Sequence, residues 1–256
     1  MRKQILDHGY IELVETWGSD QMIVESARMS TGKGFLGWGP KCECSGDPCL
    51  VDLDGESCER CGQKVKPGDE KLLAYMMKNA HDSPFEFGGM IIEVKAPLFV
   101  FREWHRHRSQ GYSEASARFA PLPDDNYMPT VERCMLGGGH LTKQSGAHGD
   151  AVLTEFVTLA WLAKLANVYE HAEQVYQEGL RIGIPKEIAR CSMTVARYSK
   201  MRATTNLRMW LAFAKLRTTL KNQHAQWEIR QYADAAGELL AEHFPRTWSL
   251  FAGTTG

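Results

Sequence analysis

The stretch REWHRHRSQGYSEASAR, residues 102–118, decides how this chain is read. Arg102, Arg106, Arg108 and Arg118 are interleaved there with His105 and His107 and joined by Ser109, Ser113 and Ser116. Guanidinium groups offer fixed charge and paired planar donors, and serine hydroxyls add short neutral donors, a combination that suits a phosphate. The apolar run Ala96-Pro-Leu-Phe-Val-Phe comes just before it, so the cluster reads as an anion site on a rigid support. The plain alternative is a solvated basic helix face. The run predicts a helix with Pro97 in its first turn. Continued through Arg108, that helix would pair Arg102 with Arg106 and Trp104 with Arg108 at a spacing of four.

Composition narrows the ligand. The chain has 256 residues, enough for one large domain or two small ones, and 43% of them are hydrophobic. Lys and Arg total 30 against 31 acids, a formal net charge of -1. A dedicated nucleic-acid binder is usually basic overall, so the local basic cluster is expected to meet a small anion, with no nucleic acid as partner. The N-terminal MRKQILDHGYIELVE is too polar for a secretory leader, and no apolar run approaches the roughly 18 residues that cross a membrane. The expectation is a soluble cytoplasmic protein (in a host's cytoplasm if viral) with no membrane partner.

Cys42, Cys44, Cys49, Cys58 and Cys61 lie within KCECSGDPCLVDLDGESCERCG. Cys58 and Cys61 form a C-x-x-C followed by Gly, the form of a zinc knuckle, and the other three offer ligands for the far side of a tetrahedral site. Disulfides are the rival reading and are disfavoured inside cells. The segment, about 38–68, reads as an insert stapled by structural zinc, with one thiol to spare. Cys134 and Cys191 stand apart and read as buried structural thiols.

Along the rest of the chain, Ile11–Val14 and Met90–Val94 read as strands and Gln21–Arg28 as a helix. Asp69 reads as the cap of a helix through EKLLAYMMKNAH, with Leu72, Leu73, Met76 and Met77 on its core face. Further helices are expected over 151–180, with Trp161, Leu162, Leu165 and Tyr169 apolar, and over 186–197, 206–217 and 224–243. Residues 136–149 look like an exposed connection. No repeat or dividing linker appears, and the class is α+β. No G-x-G-x-x-G opens a helix after a strand and there is no P-loop.

Arg106-His-Arg108, then seven residues, then Ser116, resembles the RHR-x7-S signature of flavin-dependent thymidylate synthases. Other segments resemble that family in the same order: ILDHGYIELVE, Leu72-Leu-Ala-Tyr-Met, Asn79-Ala-His-Asp-Ser-Pro-Phe-Glu86, Ala96-Pro-Leu-Phe-Val and Ser113-Glu-Ala-Ser-Ala-Arg118, then Asn206-Leu-Arg208, Leu216-Arg217 and His224-Ala-Gln-Trp-Glu-Ile-Arg230. The likeness covers nearly the whole chain apart from the cysteine segment and the Gly/His-rich stretch. It implies a single domain, 1–256, of the thymidylate synthase-complementing-protein fold, with helices around a small, mainly antiparallel sheet, assembled as a homotetramer. It implies FAD, and reductive methylation of dUMP to dTMP with methylenetetrahydrofolate and NADPH, without a cysteine nucleophile.

The resemblance also implies roles. Arg106, His107 and Arg108 would hold the flavin nucleotide with Ser83, Asn206 and Arg208, and His81 and His224 would sit near the flavin. Ser116, Arg118 and Arg190 would grip the substrate phosphate, with Arg106 and Glu103 in the same nucleotide pocket. Glu114 would lie near both ligands, and Arg217 would be catalytic, stabilising negative charge on the uracil. The chain departs from the family at Glu103 (usually Gln), Ser113 (Asn), Phe119 (Tyr), Phe87 (His) and Ala212 (Asn), and carries three extra residues between Arg217 and His224. These departures leave another pyrimidine, dCMP or UMP, or a hydroxymethyl product, as the alternative. A zinc-stapled nucleotide- or nucleic-acid-binding module is the non-enzymatic one.

Overall fold

The structure, a computed structural model, describes residues 2–40, 42, 44, 56–66, 68–136 and 153–253. Among them the order is β1 (Arg2–Ile5), β2 (Gly9–Trp17), α1 (Asp20–Ala27), α2 (Glu70–Lys78), β3 (Gly89–Pro97), α3 (Leu98–Trp104), β4 (Gly111–Glu114), α4 (Val131–Met135), α5 (Glu155–Arg181), α6 (Lys186–Ala189), β5 (Tyr198–Asn206), α7 (Leu207–Arg217), α8 (Trp227–His243) and α9 (Pro245–Gly253). The α+β class holds. None of these helices is long and apolar enough to cross a membrane. The chain groups into two compact units, each drawn from three separate stretches. Strands β2, β3 and β5 and helix α8 each contribute to both, so no linker was there to be read.

The first unit comprises residues 1–12, 92–203 and 224–232. It contains parts of all five strands, in the order β1-β2-β3-β5-β4. β1 and β2 form an antiparallel hairpin, with Arg2 opposite Glu12 and Ile5 opposite Gly9. Period-two burial shows why β3 forms: Ile92, Val94 and Ala96 are buried while Glu93 and Lys95 alternate with them. Gly9 is required by space, because a Cβ there would lie 2.0 Å from the Tyr232 hydroxyl, which donates to the Lys95 carbonyl at 2.8 Å. A polar lattice ties the 120–128 loop to this sheet. Asp7 accepts from the Tyr198 hydroxyl (2.5 Å) and the Met128 N–H (2.9 Å), Lys95 pairs with Asp125, and the Tyr198 N–H donates to the Asp125 carbonyl. Burial, and then the hydrogen bond to Asp7, push the Tyr198 phenol up, so it remains a donor.

The second unit comprises residues 13–91, 204–223 and 233–256. Ser19 caps α1 by accepting from the Met22 N–H. The expected core face of α2 holds, with Leu73 and Met76 buried. Asp20 is buried and closes the start of α9, accepting from the N–H groups of Arg246 and Thr247 and from the Thr247 hydroxyl at 2.6 Å. Asp69 departs from its expected role. It precedes α2, but its carboxylate accepts no helical N–H; it takes those of Leu36 (2.7 Å) and Gly37 (3.2 Å) and pairs with Arg28.

Several expected boundaries are corrected. The helix after Pro97 stops at Trp104 instead of running through Arg108, and Pro97 stands just before its first turn. The helix expected over 186–197 shrinks to α6 and a single 3-10 turn, Arg190–Ser192. Arg197 then enters an isolated antiparallel bridge with Asn126, and its buried guanidinium binds Asp124, Glu173 and the Leu122 carbonyl. That demand overrides helix propensity and delivers the chain into β5. Cys191 is exposed and Cys134 half-buried, so neither is the buried thiol expected. Most of the expected 136–149 connection lies outside the described residues.

Candidate active site

Tyr112 braces the end of α3. Its hydroxyl donates to the carbonyls of Trp104 (3.1 Å) and His107 (2.7 Å), while the Trp104 indole N–H donates to Gln110 at 2.9 Å. The same two carbonyls accept the N–H groups of His107 (3.0 Å) and Gln110 (3.2 Å), so tight turns replace a continuing helix and the tyrosine from the next strand adds a further donor. Burial pushes the Tyr112 phenol up to about 12, so it stays protonated at physiological pH. The RHR triplet therefore sits on a tight loop rather than a helix. Arg106 and Arg108 are exposed there, with His107 half-buried between them. Arg102, Arg106 and Arg108 make no side-chain ion pair among the described residues, which leaves their guanidinium groups available to an anion. Glu103 is half-buried on α3.

The predicted phosphate-gripping residues do come together in the first unit. Ser116 accepts the Arg118 backbone N–H, and the Arg118 Nε lies 3.0 Å from the Glu187 carboxylate. The Arg190 Nε donates to the Glu187 carbonyl at 3.3 Å, and the Lys186 ammonium donates to the Phe119 carbonyl at 3.0 Å. Lys186 and Glu187 were missed in the sequence. Their only signal was their place at the start of the expected 186–197 helix, just before Arg190. Three cations and one acid make a net positive cluster, and β5 fixes the segment, since the Ala115 N–H donates to the Lys200 carbonyl. Glu114 ends β4 and is exposed; His224 belongs to the same unit and is exposed.

The second unit holds the other predicted residues. His81 is exposed, with its ring edge-on to Tyr75, and Ser83 opens a 3-10 turn, Ser83–Phe87. Arg208 is aimed over that turn by Glu86 (2.7 Å) and Asp82 (3.5 Å). The Glu86 hydrogen bond raises its pKa, keeping it charged. Asn206 acts structurally, because its Oδ1 accepts the Met209 N–H and caps α7. Arg217 is the last residue of α7 and half-buried. Cys42, Cys44, Cys58 and Cys61 converge, with all four sulfurs within 4.8 Å of one another, a donor set able to hold a metal ion. Cys49 lies outside the described residues.

Comparison with known proteins bears on this arrangement. A family described as thymidylate synthase complementing protein matches residues 12–246. A flavin-dependent thymidylate synthase from Thermotoga neapolitana is 31% identical over 251 residues, 98% of this chain and 94% of that protein. One from Thermosipho africanus is 32% identical over 251 residues, with the same two coverages, 98% and 94%. Among solved structures, the UMP/dUMP methylase PolB from Streptomyces cacaoi bound with 5-Br dUMP gives a TM-score of 0.72 at 27% identity, covering 97% of this chain and 96% of that one. The same protein bound with 5-Br UMP gives 0.71 at 28%, covering 98% and 96%.

Proposed function

The chain belongs to the thymidylate synthase complementing protein family, the flavin-dependent thymidylate synthases, and from that premise we propose that it methylates dUMP at C5 to give dTMP, using FAD, methylenetetrahydrofolate and NADPH. The observation that carries this reading is the grouping of Ser116, Arg118 and Arg190 around Glu187, joined by Lys186. An incoming phosphate dianion competes with Glu187 for Arg118 and finds two further cations beside it. Arg106 and Arg108, exposed and without ion pairs among the described residues, are donors suited to the diphosphate of FAD. The family resemblance adds His107, Glu114, His224, His81, Ser83, Asn206 and Arg208 as candidate flavin-binding residues. Asn206 also caps α7, which fixes its orientation.

The flavin, when bound, supplies hydride chemistry that side chains lack. The protein's own part is to bind, orient and polarise. Ser116, Arg118 and Arg190 hold the phosphate with Arg106 and Glu103 beside them, and Arg217 forks onto the planar uracil edge, where a permanently protonated group stabilises developing negative charge. A second reading, methylation or hydroxymethylation of UMP or dCMP, is favoured by Glu103, whose carboxylate alters the nucleotide pocket, and by the likeness to a UMP/dUMP methylase. Purified protein should be yellow and should convert dUMP to dTMP. dUMP, UMP and dCMP offered in parallel, with product masses read, distinguish the readings; flavin-bound protein that leaves dUMP unchanged removes the first.

A homotetramer completes the proposal. On α5 and the residue following it, Trp161, Val168, Val175 and Ile182 recur every seven residues, each between 45% and 59% exposed. Such an apolar seam on a long helix calls for a partner helix. Light scattering should give four times the chain mass, and Val168→Glu should lower it; a monomeric wild type would remove the assembly from the proposal.

A further inference from the structure

We propose that Cys42, Cys44, Cys58 and Cys61 hold a single zinc ion as a closed tetrathiolate, and that Cys49 is not a ligand. The sulfurs of Cys42 and Cys44 lie 2.9 Å apart, those of Cys44 and Cys58 3.6 Å, and all four fall within 4.8 Å of one another. Four sulfurs bound to zinc at about 2.3 Å stand roughly 3.8 Å from each other, an edge that these separations bracket. None of the four is in a disulfide. The backbone presents them deliberately. Around Cys58 and Cys61 a small hairpin is closed by the Ser57–Lys64 antiparallel bridge and by the Cys58 N–H to Gln63 carbonyl bond. Gly62 takes φ +68°, a left-handed turn that lets its N–H reach the Cys58 carbonyl at 2.8 Å and sets the two thiols of the C-x-x-C on one side. Four soft thiolates in a tetrahedral shell are the donor set of structural zinc, with iron the rival that shares it, and such a shell takes no fifth thiol and offers no open position for chemistry.

The metal would tie Cys42 and Cys44 to the hairpin that carries Cys58 and Cys61. The root of the insert is already tight without it: a Cβ on Gly68 would lie 2.3 Å from the Gly39 carbonyl, so the outgoing and returning chain run side by side. Asp69 takes the Leu36 and Gly37 N–H groups, and Glu70 takes the Gly39 N–H at 2.8 Å and pairs with Arg246, whose guanidinium stacks 4.3 Å over Trp38. Removing the metal therefore releases the 56–66 hairpin from Cys42 and Cys44 while the root contacts of α2 remain.

Elemental analysis of the full chain, purified without chelator, should find one zinc per chain. Cys49→Ser should retain it and the exposed Cys61→Ser should lose it. Since a cysteine variant can fail to fold, cobalt exchanged into the wild type gives a second readout, the visible absorption of a tetrahedral tetrathiolate. Chelation should open the hairpin 56–66 to proteolysis and leave α2 protected. Absence of metal, iron in place of zinc, loss of metal in Cys49→Ser, or unchanged protection after chelation would each overturn the proposal. None of these measurements involves flavin or nucleotide, so their failure leaves the enzymatic reading untouched, and the reverse.

Discussion

Arg217→Ala is expected to keep its fold and its flavin and to lose kcat by about three orders of magnitude, the scale seen when a preorganised donor to developing negative charge is removed. Arg217 ends α7, where the carbonyl end of the helix favours a cation. Its position is fixed from the far side. The Thr218 N–H and hydroxyl both return to the Ala214 carbonyl, at 3.0 and 2.6 Å. The Thr219 N–H and hydroxyl then bind Asp234 at 2.8 and 2.6 Å. With the chain pinned directly after Arg217, the register of that residue on α7 does not depend on the length of the turn that follows. Arg217→Lys keeps the charge but loses the fork, so it should recover only part of kcat. A loss confined to KM, or an Arg217→Ala enzyme within tenfold of wild type, would remove Arg217 from the chemistry.

The largest effect on stability is expected at Arg197. Its side chain is 3% exposed and reaches the Asp124 carboxylate (2.7 Å), the Glu173 carboxylate (2.6 Å) and the Leu122 carbonyl (3.1 Å). One guanidinium thus joins the 120–127 loop, α5 and the start of β5. Arg197→Met leaves Glu173 mostly buried without its cation and the Leu122 carbonyl without that donor. Breaking a buried pair from one side costs about 3–5 kcal/mol. For a chain of this size that lowers Tm by roughly 10 °C. Asp124 is more exposed and recovers solvation, so the lower half of the range is expected. Calorimetry of wild type, Arg197→Met and Arg197→Lys tests this, with Lys intermediate because it keeps charge but cannot serve all three acceptors. A Met variant that melts with the wild type would mean the network adds nothing net.

Much of this protein was legible in its sequence, because its signals are local. The amphipathic period placed α1, α2, α7 and α8 to within a few residues, and the clustered arginines and cysteines marked the candidate anion site and a donor set able to hold a metal. The order of motifs along the chain was enough to place it in its family. What the sequence could not carry was anything decided by a partner distant along the chain. The end of α3 is braced by a tyrosine hydroxyl arriving from β4. The loss of helix before β5 depends on Arg197 meeting acids 24 and 73 positions away. β5 itself, YSKMRATTN, alternates buried and exposed residues, yet its charged members masked the pattern until the sheet supplied neighbours. Lys186 and Glu187 were indistinguishable from solvated charge until folding set them beside Arg118 and Arg190. Local chemistry and periodicity are written in consecutive residues, whereas burial and ion pairing are properties of the space between elements, and only the folded chain has that space.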